Sequence, residues 1–597
     1  MMSLCYEFNG NDKRQLECAK YNINIKTKLL NPNHPQIAKA YIRLARAFAK
    51  LEMLAQSNLS NIGYRINESL IQSGEYYRII EAYQRTLFTL YNLSLNKSHL
   101  AEAYLTSEIT KASTIHQSQY YYSSVKYLGI SEDLITEEAI LKKELSFLQS
   151  KKIELVKNNA NQTEIHKVQN KLFNKHKSYD SLISHLEQNY PEYYNLKYNF
   201  DVLSIEEVQQ KLKSNEALIE YFNGNDQTYV FTITKDTATF QAMPLVKYDR
   251  IEKLRNTLTN SALKNPSQAY MDYSKAAYQL FKEILATPLK NIDTTKINTL
   301  RIIPDGLLGL IPFETLLTQP VHKQAEDYRS LPYLFKKFNI SYGYSATSMF
   351  KFNEHKKSVS SAQVLAFAPS ELTPSVKTAD LAPLKSNLQE VFHLNNYFDH
   401  HNLTGEEATE TAFKEKIKDY PIAHLAMHAI IDDEDPMYSK LLFAPSKDTL
   451  EDGMLHTFEL YNMRLNTQMV VLSACNTGSG KLQKGEGVIA YAGSPSVVMS
   501  HWAVDDKSTA ELMKHFYKHL SNGHPKDVAL RNAKLDFLKN APPIYHHPYY
   551  WNNFVVMGDP APVASEWYGW KIVVALRTAM FFAMILAISN RHKMIKY

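Results

Sequence analysis

Two runs of strand-forming residues end abruptly in reactive side chains. Met469-Val-Val-Leu-Ser-Ala-Cys475 stops at a cysteine followed by the turn residues Asn476-Thr477-Gly478, and Ile422-Ala-His-Leu-Ala-Met-His428 stops at a histidine 47 residues upstream. Short apolar runs bounded by turn signals read as buried strands, and parallel sheets collect ligands and chemistry at the carboxyl ends of their strands. If both runs belong to one sheet, sulfur and imidazole meet at one edge. A lone cysteine is usually a small buried hydrophobe. The position of each residue at a strand end is what favours chemistry over packing.

The surrounding pattern is that of an α/β domain. After Glu216, the segments Ala217–Phe222, Thr228–Ile233 and Ala238–Met243 form short alternating strands joined by turn residues, a small antiparallel meander. Strand-like runs then alternate with helical ones: Leu300–Ile303, Ile340–Tyr342, Val364–Ala368, His424–Met427, Val470–Ala474, Val497–Trp502 and Phe554–Met557. That alternation predicts crossover units and a mostly parallel sheet with flanking helices. With 18 Gly and 23 Pro in 597 residues, the chain is too poor in turn formers for an all-β fold.

The N-terminal third reads as helical. Tyr41, Leu44, Ala45 and Phe48 share one helix face, and Tyr76, Ile79, Ile80 and Tyr83 repeat the spacing 35 residues later, a period near that of tetratricopeptide repeats. From 131 to 200 a charged pattern predicts a solvated helical linker or hairpin. The expected division is 1–130 TPR-like helical repeats, 131–200 linker, 201–562 α/β domain and 570–590 a transmembrane helix. The last rests on Ile572–Ile588, seventeen residues with one charge, Arg577, flanked by Trp567, Tyr568 and Trp570 and by Arg591, Lys593 and Lys596. A single C-terminal span is therefore expected. The basic residues beyond it favour a cytoplasmic tail, but Met1–Gly10 has no export signal, so the body is cytoplasmic if the start is correct and periplasmic if a signal is missing.

Composition excludes other classes. A net charge of +6 is dilute over this surface, so no nucleic-acid partner is expected. Only Cys5, Cys18 and Cys475 occur, without a Cys-x-x-Cys pair, so neither a disulfide framework nor a structural zinc site is expected. No metal and no cofactor are called for. Gly478-Ser-Gly480-Lys481 is too short for a phosphate loop.

The candidate chemistry is nucleophilic. Cys475 would supply a thiolate, His428 would depress its pKa or deliver a proton to a leaving amine, and the backbone N–H groups of Ala429 and Cys475 would hold the oxyanion. Asp505, after the Val497 strand, is a candidate substrate-pocket carboxylate selecting a basic side chain. His424, four residues before His428, is expected to be structural.

Several motifs in order resemble CHAT-domain proteins, caspase-like peptidases found joined to tetratricopeptide repeats: Leu425-Ala-Met-His428-Ala429, Val471-Leu-Ser-Ala-Cys475-Asn-Thr-Gly-Ser-Gly480, Gly485-Glu-Gly487, Val498–Asp505, and Tyr550-Trp551 through Gly558-Asp-Pro560. Ile302–Glu314 resembles an earlier motif of that domain, and Ser107-Glu108-Ile-Thr-Lys111 the helix that often ends the repeats. A histidine about 50 residues before the cysteine is also the caspase spacing. The resemblance implies a clan shared with caspases and separases, with His428 and Cys475 as the dyad; some relatives are activated proteases in bacterial defence. The sequence departs from the family at 487–493, which is shorter, and at Ala429, where many members have glycine. It implies a cysteine endopeptidase acting on a protein or peptide substrate, membrane-tethered through 570–590, with a protein partner on the repeats. A catalytically idle, membrane-anchored adaptor is the alternative.

Overall fold

The computed structural model of the protein describes residues 75–124, much of 130–190, 202–259, 266–321, 327–351, 363–369, 386–430, 439–446, most of 451–473, 494–502 and 505–563. Its backbone is a sheet of eleven strands in the order β3-β2-β1-β4-β5-β14-β13-β12-β8-β6-β7. These are β1 (Glu216–Asn223), β2 (Gln227–Thr234), β3 (Ala238–Pro244), β4 (Thr299–Ile303), β5 (Asn339–Tyr342), β6 (Gln363–Ala368), β7 (Asp399–Thr404), β8 (Ile422–Ala426), β12 (Met469–Ser473), β13 (Ser496–Ser500) and β14 (Phe554–Gly558). β9 (Ala429–Ile430), β10 (Lys440–Leu442) and β11 (Met454–His456) make a separate three-stranded sheet. Central strands such as β8 and β12 are buried at every position, because helices cover both faces and leave no side for polar residues.

The sheet is mostly parallel, but in two blocks. β1, β4, β5 and β14 run one way and β13, β12, β8, β6 and β7 the other, joined by the antiparallel β13–β14 pair. Among the helices, α1 (Glu75–Ser94) and α2 (Lys97–Ser124) form an antiparallel hairpin, and α3 (Gln162–Asn189) packs through Val168, Leu172, Leu182 and Leu186 on the linker segment. α4 (Tyr248–Thr259) and α5 (Pro266–Ile284) cover the meander half. α6 (Ala346–Lys351), α7 (Asn387–Leu394), α8 (Glu410–Lys416), α9 (Asp506–Ser521) and α10 (Lys526–Asn540) follow.

The hairpin docks by an aromatic seam and a buried polar network. Phe88 meets Tyr229 and Phe240 edge-on, and Tyr104 meets Phe231. The Glu108 carboxylate accepts from the Ala346 and Thr347 N–H groups at 2.7 and 2.8 Å and from Thr347 Oγ1 at 2.6 Å, capping α6. Ser107 and Lys111 donate to Glu220 on β1 at 2.6 and 2.9 Å. Burial, with Glu220 nearby, pushes the Glu108 carboxyl up to about 8. The Ser107–Lys111 motif is thus the joint between helical hairpin and sheet. Tyr76–Tyr83 lie in α1, and the companion motif at 41–48 lies outside the described residues.

The expected membrane span is corrected. Among the described residues no helix is long and apolar enough to cross a membrane. The reason is amphipathicity: α5 buries Tyr270, Tyr273, Ala277, Leu280 and Ile284 along one stripe and exposes Lys275 and Lys282 on the other side. Residues 570–590 themselves lie outside the described residues.

Gly558 ends β14 with φ +86°, and a Cβ there would stand 2.1 Å from the Pro495 carbonyl oxygen. Gly558→Ala is therefore expected to destabilise the protein by roughly 3 kcal/mol or more, from a disallowed contact with backbone plus left-handed strain. A urea midpoint unchanged from wild type would refute this.

Acid should weaken the fold through two buried histidines. Burial pushes the His501 imidazole down to about 3, with the Arg255 and Lys534 charges acting the same way, and burial pushes His547 down to about 4. An unfolded imidazole titrates near 6.5, so below that pH the unfolded chain takes up protons that the folded chain refuses. Stability is full above pH 6.5 and is lost as pH falls toward 3, by up to about 1.4 kcal/mol per pH unit for each histidine. In urea titrations at pH 7, 5 and 4, His501→Gln should show the shallower acid limb. Equal slopes would contradict the assignment.

Candidate active site

In the block carrying β8, chain order β6, β7, β8, β12, β13 maps to spatial order β7-β6-β8-β12-β13. This is the 2-1-3-4-5 arrangement of doubly wound sheets, whose ligand crevice opens at the carboxyl edge, where the connections diverge between the first and third strands. Here that point lies between β6 and β8. β12 flanks β8 on its other side, paired in parallel from Met469↔Ile422 to Ser473↔Ala426. The two strands therefore end level.

His428 lies two residues past the last pair of β8 and is buried. Its carbonyl accepts from the Leu442 N–H at 3.0 Å, so the small sheet clamps the turn that carries it. The next residue, Ala429, faces Leu441 in an antiparallel pair flanked by that bond. In such a narrow pair the residue's own N–H points away from the partner strand. On the β12 side the last described residue is Ser473, buried at the strand end; Cys475 lies outside the described residues.

The other residues singled out have definite surroundings. Asp505 caps α9, its carboxylate accepting from the Ser508 N–H at 2.9 Å while Ser508 Oγ donates to its carbonyl at 3.0 Å. His424 is fully buried with Nδ1 2.9 Å from the Tyr517 hydroxyl and Nε2 3.1 Å from Glu390. It ties β8 to α7 and α9, a structural role whose partners come from distant segments and were invisible in sequence.

Glu410, Glu451 and Glu459 converge closely enough to hold a cation. The Lys414 ammonium already stands there, 2.6, 2.6 and 2.9 Å from the three carboxylates. Burial raises the Glu410 carboxyl to about 8 even against that ammonium. A cavity of about 190 Å³ lined by Arg250, Lys253, Lys275, Gln279 and Leu280 lies between α4 and α5, on the half of the sheet that does not carry His428.

Residues 274–559 match the CHAT domain family, a span that contains both His428 and Cys475. No curated protein matches the chain. Among solved structures, it is similar to the Arg-specific cysteine proteinase gingipain R at 11% identity and a TM-score of 0.31, over 53% of this chain and 74% of that one. It is also similar to separase in the Saccharomyces cerevisiae separase–securin complex, at 12% identity and a TM-score of 0.38, covering 92% of this chain and 48% of that one. A second structure of that complex gives 10% identity and a TM-score of 0.35, over 93% and 50%. The chain thus spans about half the length of the separase chains.

Proposed function

From a CHAT domain over 274–559, we propose that this protein is a cysteine endopeptidase with Cys475 as nucleophile and His428 as its acid–base partner. The observation that carries the reading is the level parallel pairing of β8 and β12 beside the switch point. Strands in register lie about 4.8 Å apart and two residues of extended chain span about 7 Å, so a chain continuing past Ser473 as it does past Ala426 would bring residue 475 within reach of His428.

The chemistry follows from those groups. The Cys475 thiolate attacks the scissile carbonyl carbon, and the electron pair of the C=O bond moves to oxygen, where the N–H groups of Ala429 and Cys475 donate to it. His428 as imidazolium protonates the departing amine as the C–N bond breaks, leaving a thioester. The now neutral imidazole then takes a proton from water, which attacks the thioester and releases the acid and the thiolate. A protein partner on the N-terminal helices would act through the Ser107–Lys111 joint, which ties α2 to β1 and α6.

Asp505 adds a specificity reading. One oxygen serves the helix cap, leaving a carboxylate charge at the mouth of the next strand to select a basic side chain before the cut bond. Asparagine caps a helix as well as aspartate, so Asp505→Asn removes the charge and keeps the cap. It should lower kcat/KM for basic over neutral substrates by roughly 10- to 100-fold, the worth of one charged hydrogen bond. An unchanged preference would remove Asp505 from the pocket.

A peptide acyloxymethyl ketone applied to wild type and to Cys475→Ala tests the whole reading. Labelling confined to the wild-type thiol supports the peptidase. Labelling indifferent to Cys475 would leave a binding protein that uses the same fold as an adaptor.

A further inference from the structure

Lys414 stands where carboxylates from three stretches of chain meet: Glu410 one turn earlier on α8, Glu451 ahead of β11, and Glu459 on the short helix Thr457–Asn462 that follows β11. Two of them also reach the backbone. Glu410 turns Oε1 to Lys414 at 2.6 Å and with Oε2 accepts from the Gly453 N–H at 3.0 Å. Glu459 accepts from Lys414 on Oε1 at 2.9 Å and from the His456 N–H on Oε2 at 2.9 Å. Gly453 directly precedes β11 and His456 ends it, so one ammonium grips both ends of that strand.

β11 lies one strand away from the segment that holds the His428 turn. It pairs antiparallel with β10 from Lys440↔His456 to Leu442↔Met454, and just beyond, the Phe443 N–H donates to the Gly453 carbonyl at 2.9 Å. β10 in turn pairs Leu441 with Ala429 and donates the Leu442 N–H to the His428 carbonyl at 3.0 Å. The cluster is also fixed to the large sheet. Phe413, next to Lys414 on α8, is buried and meets Phe367 edge-on, and Phe367 belongs to β6, the parallel neighbour of β8. Strands of two, three and three residues make few ladder bonds of their own, so the small sheet depends on such outside ties.

We infer that Lys414 is a positioning residue for the peptidase: through Glu410 and Glu459 it fixes β11, and through β10 the turn that presents His428 and the Ala429 N–H. This rests on the reading of His428 as the acid–base partner. Without the ammonium, β10 and β11 lose their common anchor and the turn shifts with them. A displacement of about 1 Å at a reacting group costs up to roughly 100-fold in rate. Substrate binding does not pass through Lys414, so the loss falls on kcat rather than KM.

The test compares, in the full chain, wild type, Lys414→Met and the triple variant Lys414→Met/Glu410→Gln/Glu459→Gln. Lys414→Met should lower kcat for a peptide substrate roughly 10- to 100-fold at unchanged KM. Amide exchange read by mass spectrometry should quicken in β10 and β11. The triple variant removes carboxylate charges that Lys414→Met leaves unpaired, so it should regain thermal stability while kcat stays low, because the two glutamine amides have no ammonium to share. A kcat that recovers with stability would mean that the cluster only holds the fold. Exchange in β10 and β11 equal to wild type, or a wild-type kcat in Lys414→Met, would equally overturn the positioning role. Wild-type labelling indifferent to Cys475 would be the failure of the peptidase reading itself, and the role would fall with it whatever the exchange showed.

Discussion

Replacing Cys475 with alanine is expected to cut peptide-bond turnover by on the order of 10⁴-fold or more, and His428→Ala by a comparable factor, because nucleophile and base act as one unit. The double variant should be no worse than the poorer single one. Residual activity would come from substrate binding and the oxyanion donors, which neither change removes. Steady-state kinetics on a shared peptide substrate give the comparison, with circular dichroism confirming that the buried His428 position tolerates alanine. Losses that multiply in the double variant would mean that the two residues work independently.

The second large effect concerns stability. Arg301 on β4 is buried and reaches Glu216 on β1, Asp527 on α10 and Ser341 on β5, each at 2.7 Å. It ties three strands and a helix at the end of the sheet opposite the β1–β4 carboxyl edge. Burial raises the Asp527 carboxyl, and the guanidinium works against that shift. Arg301→Met would leave two carboxylates buried without their cation, a cost of about 3–5 kcal/mol in comparable cases. Adding Glu216→Gln and Asp527→Asn removes those charges and should recover at least half of the loss. Urea unfolding of the three proteins decides: a single variant within about 1 kcal/mol of wild type would mean that solvent reaches the cluster.

How far the sequence revealed this architecture depended on where each residue's partner lies. β8 and β12 were legible because strands covered on both faces are apolar at nearly every position, His424 and Ser473 being the exceptions. β7 was not, because Asp399-His-His-Asn-Leu-Thr404 is an edge strand whose exposed face carries polar residues that resist pairing with other chains. The reversal at β13–β14 was equally hidden, since strand direction is set by tertiary pairing and leaves no local pattern. Asp505 shows the limit for single residues. Its acidic character suggested a pocket, while its hydrogen bond to Ser508 is the capping relation that spacing alone already allowed.

The thiol itself offers the most direct measurement. Alkylation of Cys475 by iodoacetamide, followed by mass spectrometry across pH 5 to 10, reports its thiolate fraction in wild type and in His428→Ala. A paired thiol should react with a midpoint well below the free-cysteine value of about 8.5, and loss of the imidazole should return the midpoint to that value. Superimposable pH profiles for the two proteins would show that sulfur and imidazole do not meet, and the proposed peptidase would fall with them.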